Sequence, residues 1–203
     1  MNVILRTLGT LIIALALASC ATPMKQSSLE TVKVVGVVNQ FPQYPNFVSI
    51  GTTIFNNEYD KVEDERFRHA VSKVVLDYVK TKGLDAREIP NDPEATKKVD
   101  LVLYLIPRDA YQRTGTFGFG IYQRSLLGMR APASAYVALN IRPVLRGENM
   151  GSAFYRENFS KLQIEQLPEK WSSLTDDQKK HAQEVLSNNI QETVVGLLKQ
   201  VGI

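Results

Sequence analysis

One cysteine, two histidines and one tryptophan are all that this 203-residue chain holds of those residue types. A single thiol excludes an internal disulfide framework and thiolate metal sites built on cysteine pairs. The histidines, His69 and His181, have no histidine or cysteine partner at ligand spacing, and neither an HExxH nor a C2H2 pattern is present. No metal and no cofactor are therefore expected. A GxSxG elbow is also missing, which leaves a serine nucleophile without sequence support. Gly118-Phe119-Gly120 opens like a phosphate-binding loop, but Gln123 stands where the third glycine belongs and no helix pattern follows. The net charge of +3 is too small to point to nucleic acid. Carboxylates such as Glu58, Asp60, Glu63 and Asp100 are plentiful, but sequence alone does not pair them as the general acid and base of a glycan hydrolase.

What is there begins at the first residues. Arg6 is the only charge before Cys20, and Leu11 to Leu17 is almost wholly apolar. A basic start, a short apolar run and small residues before a cleavage point make a secretory signal. The run is shorter than the about 20 residues a spanning helix needs. Leu17-Ala18-Ser19-Cys20 resembles the bacterial lipobox. The resemblance implies cleavage between Ser19 and Cys20, with diacylglyceryl on the thiol and palmitate-type acylation of the new amine. Several acyl chains suffice for stable anchoring. Ala21 follows the cysteine where an Asp would imply inner-membrane retention. The expected location is thus the outer membrane, facing the periplasm. The expected division is a signal peptide over 1–19, a lipidated tether over 20–31 and one mixed α/β domain over 32–203. Removing the signal takes one cation and leaves 184 residues at +2, enough for one sizeable core.

Within the domain, the valine-rich run from Val32 to Phe41 predicts a buried strand, and Phe47 to Phe55 a second. Phe67, Val71, Val74, Val75, Tyr78 and Val79 recur at helical spacing and predict a helix over Glu63 to Lys82. Asp60 with Glu63 would cap its start, and Gly83 its end. Leu84 to Ile89 predicts a short strand, Asn91 to Lys98 a polar loop, and Val99 to Ile106 a central strand. Ser134 to Leu145 alternates as a half-buried strand, with Ser152 to Leu162 returning beside it. Pro168 to Ser173 predicts a linker. Thr175-Asp176-Asp177-Gln178 reads as a capping box opening a last helix. Its buried stripe is Ala182, Leu186, Ile190, Val194, Leu197 and Val201. The fold class is then α+β: a single sheet with two main helices packed on it, in the order β-β-α-β-β-loop-β-β-α.

The lipobox, the Val32–Phe41 strand, the helix ending Lys82-Gly83-Leu84 and the strand opened by Val99-Asp100 together resemble a broad group of small bacterial envelope lipoproteins. That group includes the peptidoglycan-synthase activator and curli-secretion lipoproteins. The resemblance implies a fold more than an activity. Ile50 to Asn57 looks like a family signature with no activity attached to it.

Residues 108–146 are the most unusual stretch. Six arginines (108, 113, 124, 130, 142 and 146) face one acid, Asp109, and no lysine occurs among them. Aromatic residues and glycines are interleaved, without clean periodicity from Ala110 to Pro132. Arginine forks suit carboxylate and phosphate, and aromatics beside them suit an interface. Arg113, Phe117, Phe119, Tyr122 and Arg124 are the expected contact surface, for an envelope protein or an anionic lipid or glycan. The first reading of the stretch is a long hairpin whose aromatics fold back on the core with the arginines solvated; the docking surface stands second, and a membrane-inserting hairpin of an oligomeric pore third. For the whole protein the leading expectation is a non-enzymatic accessory or docking factor in the cell envelope. A lipid-anchored hydrolase on glycan or ester substrates and a subunit of an oligomeric export complex are the alternatives.

Overall fold

A computed structural model describes residues 23–53, 56–126, 129–150 and 153–203. The expected signal peptide, its cleavage point and Cys20 lie outside the described residues.

The fold is mixed α+β. Ten strands form one curled sheet in the order β3-β2-β6-β8-β5-β1-β4, with β10 and β9 on β8 and β7 on β6. In chain order they are β1 (Val34–Asn39), β2 (Asn46–Ile50), β3 (Glu58–Lys61), β4 (Asp85–Glu88) and β5 (Leu101–Pro107). They continue as β6 (Phe119–Leu126), β7 (Met129–Arg130), β8 (Ser134–Leu145), β9 (Glu148–Asn149) and β10 (Phe154–Lys161). Four helices occur among the described residues: α1 (Gln26–Leu29), α2 (Arg66–Thr81), α3 (Pro93–Thr96) and α4 (Asp176–Val201).

The register explains the curl. The long strand β8 pairs β10 along Ser134–Ile141, so β5 and β6 must share its other edge, β5 on 139–145 and β6 on 134–137. β1 runs parallel beside β5, and β2 parallel beside β6. Two neighbouring positions of the sheet are therefore broken strands, interrupted by residues 40–45 and 108–118. The breaks lie against each other: Phe41 meets Phe119 edge-to-face at 5.0 Å. Backbone groups freed at the first break find partners on α2. The Arg68 guanidinium donates to the carbonyls of Asn39 and Phe41, and the Asn39 amide donates to Ser72 Oγ and to the Arg68 carbonyl.

Helices α2 and α4 cover one face of the sheet. Phe67, Val71, Val75 and Val79 of α2 and the predicted stripe of α4 are buried against Val35, Val37, Leu101, Leu103, Leu105, Val137 and Leu139. Helix α4 opens with the expected capping box of Thr175 and Gln178 and ends at Gly202 with φ 99°. Gly83, at φ 77°, closes α2 as expected.

Three local expectations are corrected. Asp60 and Glu63 do not cap α2. Asp60 lies in β3 and accepts from the Trp171 N–H at 2.7 Å, while Asp64 accepts from the Arg66 N–H and pairs with its guanidinium. The polar loop 91–98 contains α3, capped by the Asp92 carboxylate on Glu94 and Ala95 N–H groups. The linker 168–173 includes a 3-10 turn, Trp171–Ser173, whose indole ring packs on Phe47 at 5.8 Å. Within the expected tether, Met24 is buried, its N–H donates to the Val201 carbonyl at 2.8 Å, and Arg146 holds the Thr31 carbonyl.

Candidate functional site

Neither α2 nor α4 reaches the other face of the sheet. Side chains alternate across a strand, so the partners of inward Leu139 and Val137 point outward. The outward set on β8 is Tyr136, Ala138, Asn140 and Arg142, as the alternation predicts. Opposite them stand Tyr104, Ile106 and Arg108 on one side and Tyr155, Glu157 and Phe159 on the other. One end of this face is covered by the segment around α3, with Ile89 and Val99 packed on Val38 and Val102. The other end is crossed by the loop of residues 108–118.

That loop is built, not slack. The Thr116 hydroxyl is buried; it accepts from the Ala110 N–H and donates to the Arg113 carbonyl. The Tyr111 N–H donates to Glu157 Oε2 at 2.7 Å, and the Tyr155 hydroxyl donates to the same oxygen. Asn46 Nδ2 holds the Phe117 carbonyl at 2.7 Å. Between these ties Gln112 is forced to φ 55°, a conformation rare outside glycine. Backbone strain of this kind costs about 1–3 kcal/mol and collects at binding sites. Gly115 presses on Tyr59 and Val48, where even a methyl group would stand 3.2 Å from either.

The loop lowers Arg113 onto an aromatic cluster. Tyr122, Tyr136 and Phe159 pack with centroids 5.6–6.4 Å apart. The Arg113 guanidinium carbon sits 3.8 Å from the Phe159 centroid, a cation–π contact that consumes none of its N–H donors. Arg142 sits likewise 4.6 Å above the Tyr104 ring. Arg113, Tyr111, Tyr122, Arg124, Ser134 and Glu157 line a cleft of about 420 Å³. Burial pushes the phenol of Tyr122 up, against the pull of Arg124 and Arg113. Burial also raises Tyr136, and burial together with Glu157 raises Tyr155. All three hydroxyls stay protonated, and that of Tyr155 already donates to Glu157.

The expected contact residues separate. Arg113 and Arg124 are exposed, and Phe117 is 44% exposed. Phe119 is a correction: at 0% exposure it fills the helix-side core against Phe41 and presents nothing to a partner. Tyr122 is 3% exposed and forms the cleft floor. In a regular strand Phe117 and Phe119 would share a face, but Gly118 at φ 75° turns the chain between them. The exposed large apolar side chains among the described residues are Tyr59, Tyr111, Phe117, Met129 and Tyr155. Tyr111 and Met129 fall within the expected contact stretch 108–130, while Tyr59 and Tyr155 lie outside it and were missed. Tyr59 and Tyr155 lie on the helix-free face, Tyr111 and Phe117 on the loop over it, and Met129 in the β6–β7 hairpin.

Two further features mark this face. Arg108, Arg113, Arg124 and Arg142 enter no ion pair among the described residues. Of the five buried side-chain polar atoms without a hydrogen-bond partner among the described residues, three are here: Tyr122 Oη, Asn140 Oδ1 and Arg142 Nε. Buried polar groups are otherwise nearly always paired.

The carboxylates singled out from sequence share no hydrogen-bond or ion-pair partner among the described residues. Glu58 and Glu63 are exposed, Asp60 holds Trp171, and Asp100 accepts from the N–H groups of Lys33 and Val34. The two histidines line none of the five principal clefts. No metal-ligand cluster occurs among the described residues, and no helix among them is long and apolar enough to cross a membrane.

No family model matches the chain, and no curated protein sequence matches it. Among solved structures, 90% of this chain aligns with 95% of a PelC dodecamer chain from Paraburkholderia phytofirmans, at 10% identity and a TM-score of 0.38. A likeness at that level carries no argument about this chain.

Proposed function

We propose that the protein is a lipid-anchored factor of the bacterial cell envelope, held to the outer membrane through Cys20 and facing the periplasm. It acts without catalysis, by docking a partner on the helix-free face of its sheet. The observation that carries the docking reading is the coincidence on one face of exposed aromatic residues, unpaired arginines and orphaned polar atoms. Aromatic residues and arginine are the residue types enriched at interface centres. The four arginines make an acidic surface the complementary partner. The anchor rests on the lipobox sequence. With Met24 already docked in the domain, Ala21 to Pro23 would supply only about 3.3–3.6 Å of reach per residue.

Two experiments test the two halves. Cys20→Ser should abolish acyl labelling and move the protein out of the membrane fraction; an unchanged distribution refutes the anchor. In-cell photocrosslinking from position 117 should give a discrete adduct, and crosslinking from exposed Lys180 on α4 should not. The adduct should vanish when Tyr111, Arg113 and Arg124 are replaced by alanine, with the circular dichroism spectrum retained. An adduct that survives those changes, or that forms equally from Lys180, refutes the docking face.

A further inference from the structure

We infer that the cleft between Arg113 and Arg124 is a binding site for the carboxylate of an acidic sugar, a uronic acid unit within a polymer. The inference rests on the helix-free face being the working surface, and it names the chemistry recognised there.

Three observations carry it. Arg113 and Arg124 border one cleft and have no acid partner among the described residues. Guanidinium forks match a planar carboxylate. The Tyr122 hydroxyl is buried in the floor of the same cleft and has no hydrogen-bond partner among the described residues. A carboxylate oxygen between the two guanidiniums is the acceptor that this donor lacks. Tyr111 stands at the rim, 71% exposed, on a loop fixed by Glu157 and Thr116. A flat, solvent-facing ring beside a cationic pair suits a pyranose stacked through its C–H face. The volume falls inside the range of roughly 300–1,000 Å³ usual for small-ligand sites.

The lining also argues against other anions. Among the described residues, the only aliphatic side chains lining the cleft are Ala131 and Pro132. A lipid headgroup would therefore bring its chains to a polar wall. Glu157 is part of the lining, and its carboxylate already serves Tyr111 and Tyr155. A negative charge that close disfavours a dianionic phosphate more than a monoanionic carboxylate.

Arg113 closes the site from above. Its guanidinium rests on Phe159 and is tied through no hydrogen bond of its own side chain among the described residues.

Titration calorimetry on the full chain tests the site. The probes are a galacturonic acid trisaccharide, the neutral galactose trisaccharide and inorganic phosphate. The acidic trisaccharide should bind and the neutral one should not. Arg113→Gln with Arg124→Gln should weaken binding about tenfold or more, the loss expected for charge-assisted hydrogen bonds. Tyr122→Phe should weaken it several-fold without lowering the melting temperature. Equal binding of both trisaccharides, an undiminished affinity in the arginine double variant, or phosphate binding as tightly as the uronate would overturn the inference. If uronate binding fails while the position-117 adduct persists, only this inference falls. If uronate binding holds and the adduct is absent, the docking reading falls instead.

Discussion

Two tyrosines in one aromatic cluster should respond in opposite directions to loss of a single oxygen. Tyr122 and Tyr136 pack against each other at 6.4 Å and both are buried. The Tyr136 hydroxyl accepts from Asn46 Nδ2 at 3.3 Å, while that of Tyr122 has no partner. A buried hydroxyl left unpaired costs about 1–3 kcal/mol. The nearby charges of Arg113 and Arg124 offset part of that cost for Tyr122. Tyr122→Phe keeps the ring and its packing and removes the unpaired group, so stability should rise by about 1 kcal/mol. For a chain of this size that corresponds to a melting temperature higher by roughly 2–4 °C. Tyr136→Phe removes a long hydrogen bond, while Asn46 Nδ2 keeps the Phe117 carbonyl at 2.7 Å. Its expected cost is about 0.5–1 kcal/mol. Urea unfolding reads both variants. Trp171, the only tryptophan, packs on Phe47 on the far side of the sheet and reports unfolding without touching the mutated cluster. If Tyr122→Phe is destabilising by a kilocalorie or more, the hydroxyl has a structural partner and the reasoning about this cleft is wrong.

Other substitutions test the frame that holds the site. Gly120→Ala should cost about 3 kcal/mol or prevent folding, because a Cβ there would stand 2.0 Å from the Asn46 carbonyl oxygen; a soluble variant with a wild-type urea midpoint would refute the β2–β6 register. Thr175→Ala should lower stability by about 1 kcal/mol in the same assay through loss of the α4 capping box, and Thr175→Ser should restore most of it. Asp100 is held below its ordinary 3.8 first by the N–H groups of Lys33 and Val34 and then by Arg146. A lowered folded-state value adds stability that is present above the unfolded value and lost as pH falls through the folded one. Acid titration of unfolding should therefore show a smaller loss below about pH 4 in Asp100→Asn than in the parent; identical acid limbs would refute that role.

The elements legible in the sequence were those with one buried face. Helix α4 and strand β8 each bury a single stripe, so their periods of 3.6 and 2 survive in the amino acids. Strand β6 did not, because Phe119 and Ile121 are buried by the helices while Tyr122 is buried by the loop on the other side. Burial on both faces erases alternation. Its glycines and arginines then made the stretch look like an open loop. Strand β3 was missed for the opposite reason: Glu58–Lys61 is a polar edge strand with no buried face at all. At the site itself, composition identified the arginines and aromatics but not which side each takes. The turn at Gly118 decides that, and it separates exposed Phe117 from buried Phe119. Tyr155 and Glu157 were out of reach from sequence because they come to the site only through the β8–β10 register.

The distribution of unmet interactions argues for a surface kept for binding. A sheet covered on one face by helices has no structural reason to place on the other four arginines without an ion pair among the described residues, together with the orphaned Tyr122 Oη and Asn140 Oδ1. Ordinary alternation would put short polar side chains there at no cost. The loop 108–118 adds to the penalty, since it interrupts β-ladder pairing in mid-sheet and strains Gln112. Departures from local rules collect where function requires them. The loop is nevertheless fixed by Thr116, Glu157 and Asn46 before any ligand arrives. Ordering costs are thus met on folding, not on binding. A partner meeting this face should find Arg113 and Tyr111 already in place, so that binding changes side-chain rotamers in the cleft and leaves the strand register untouched.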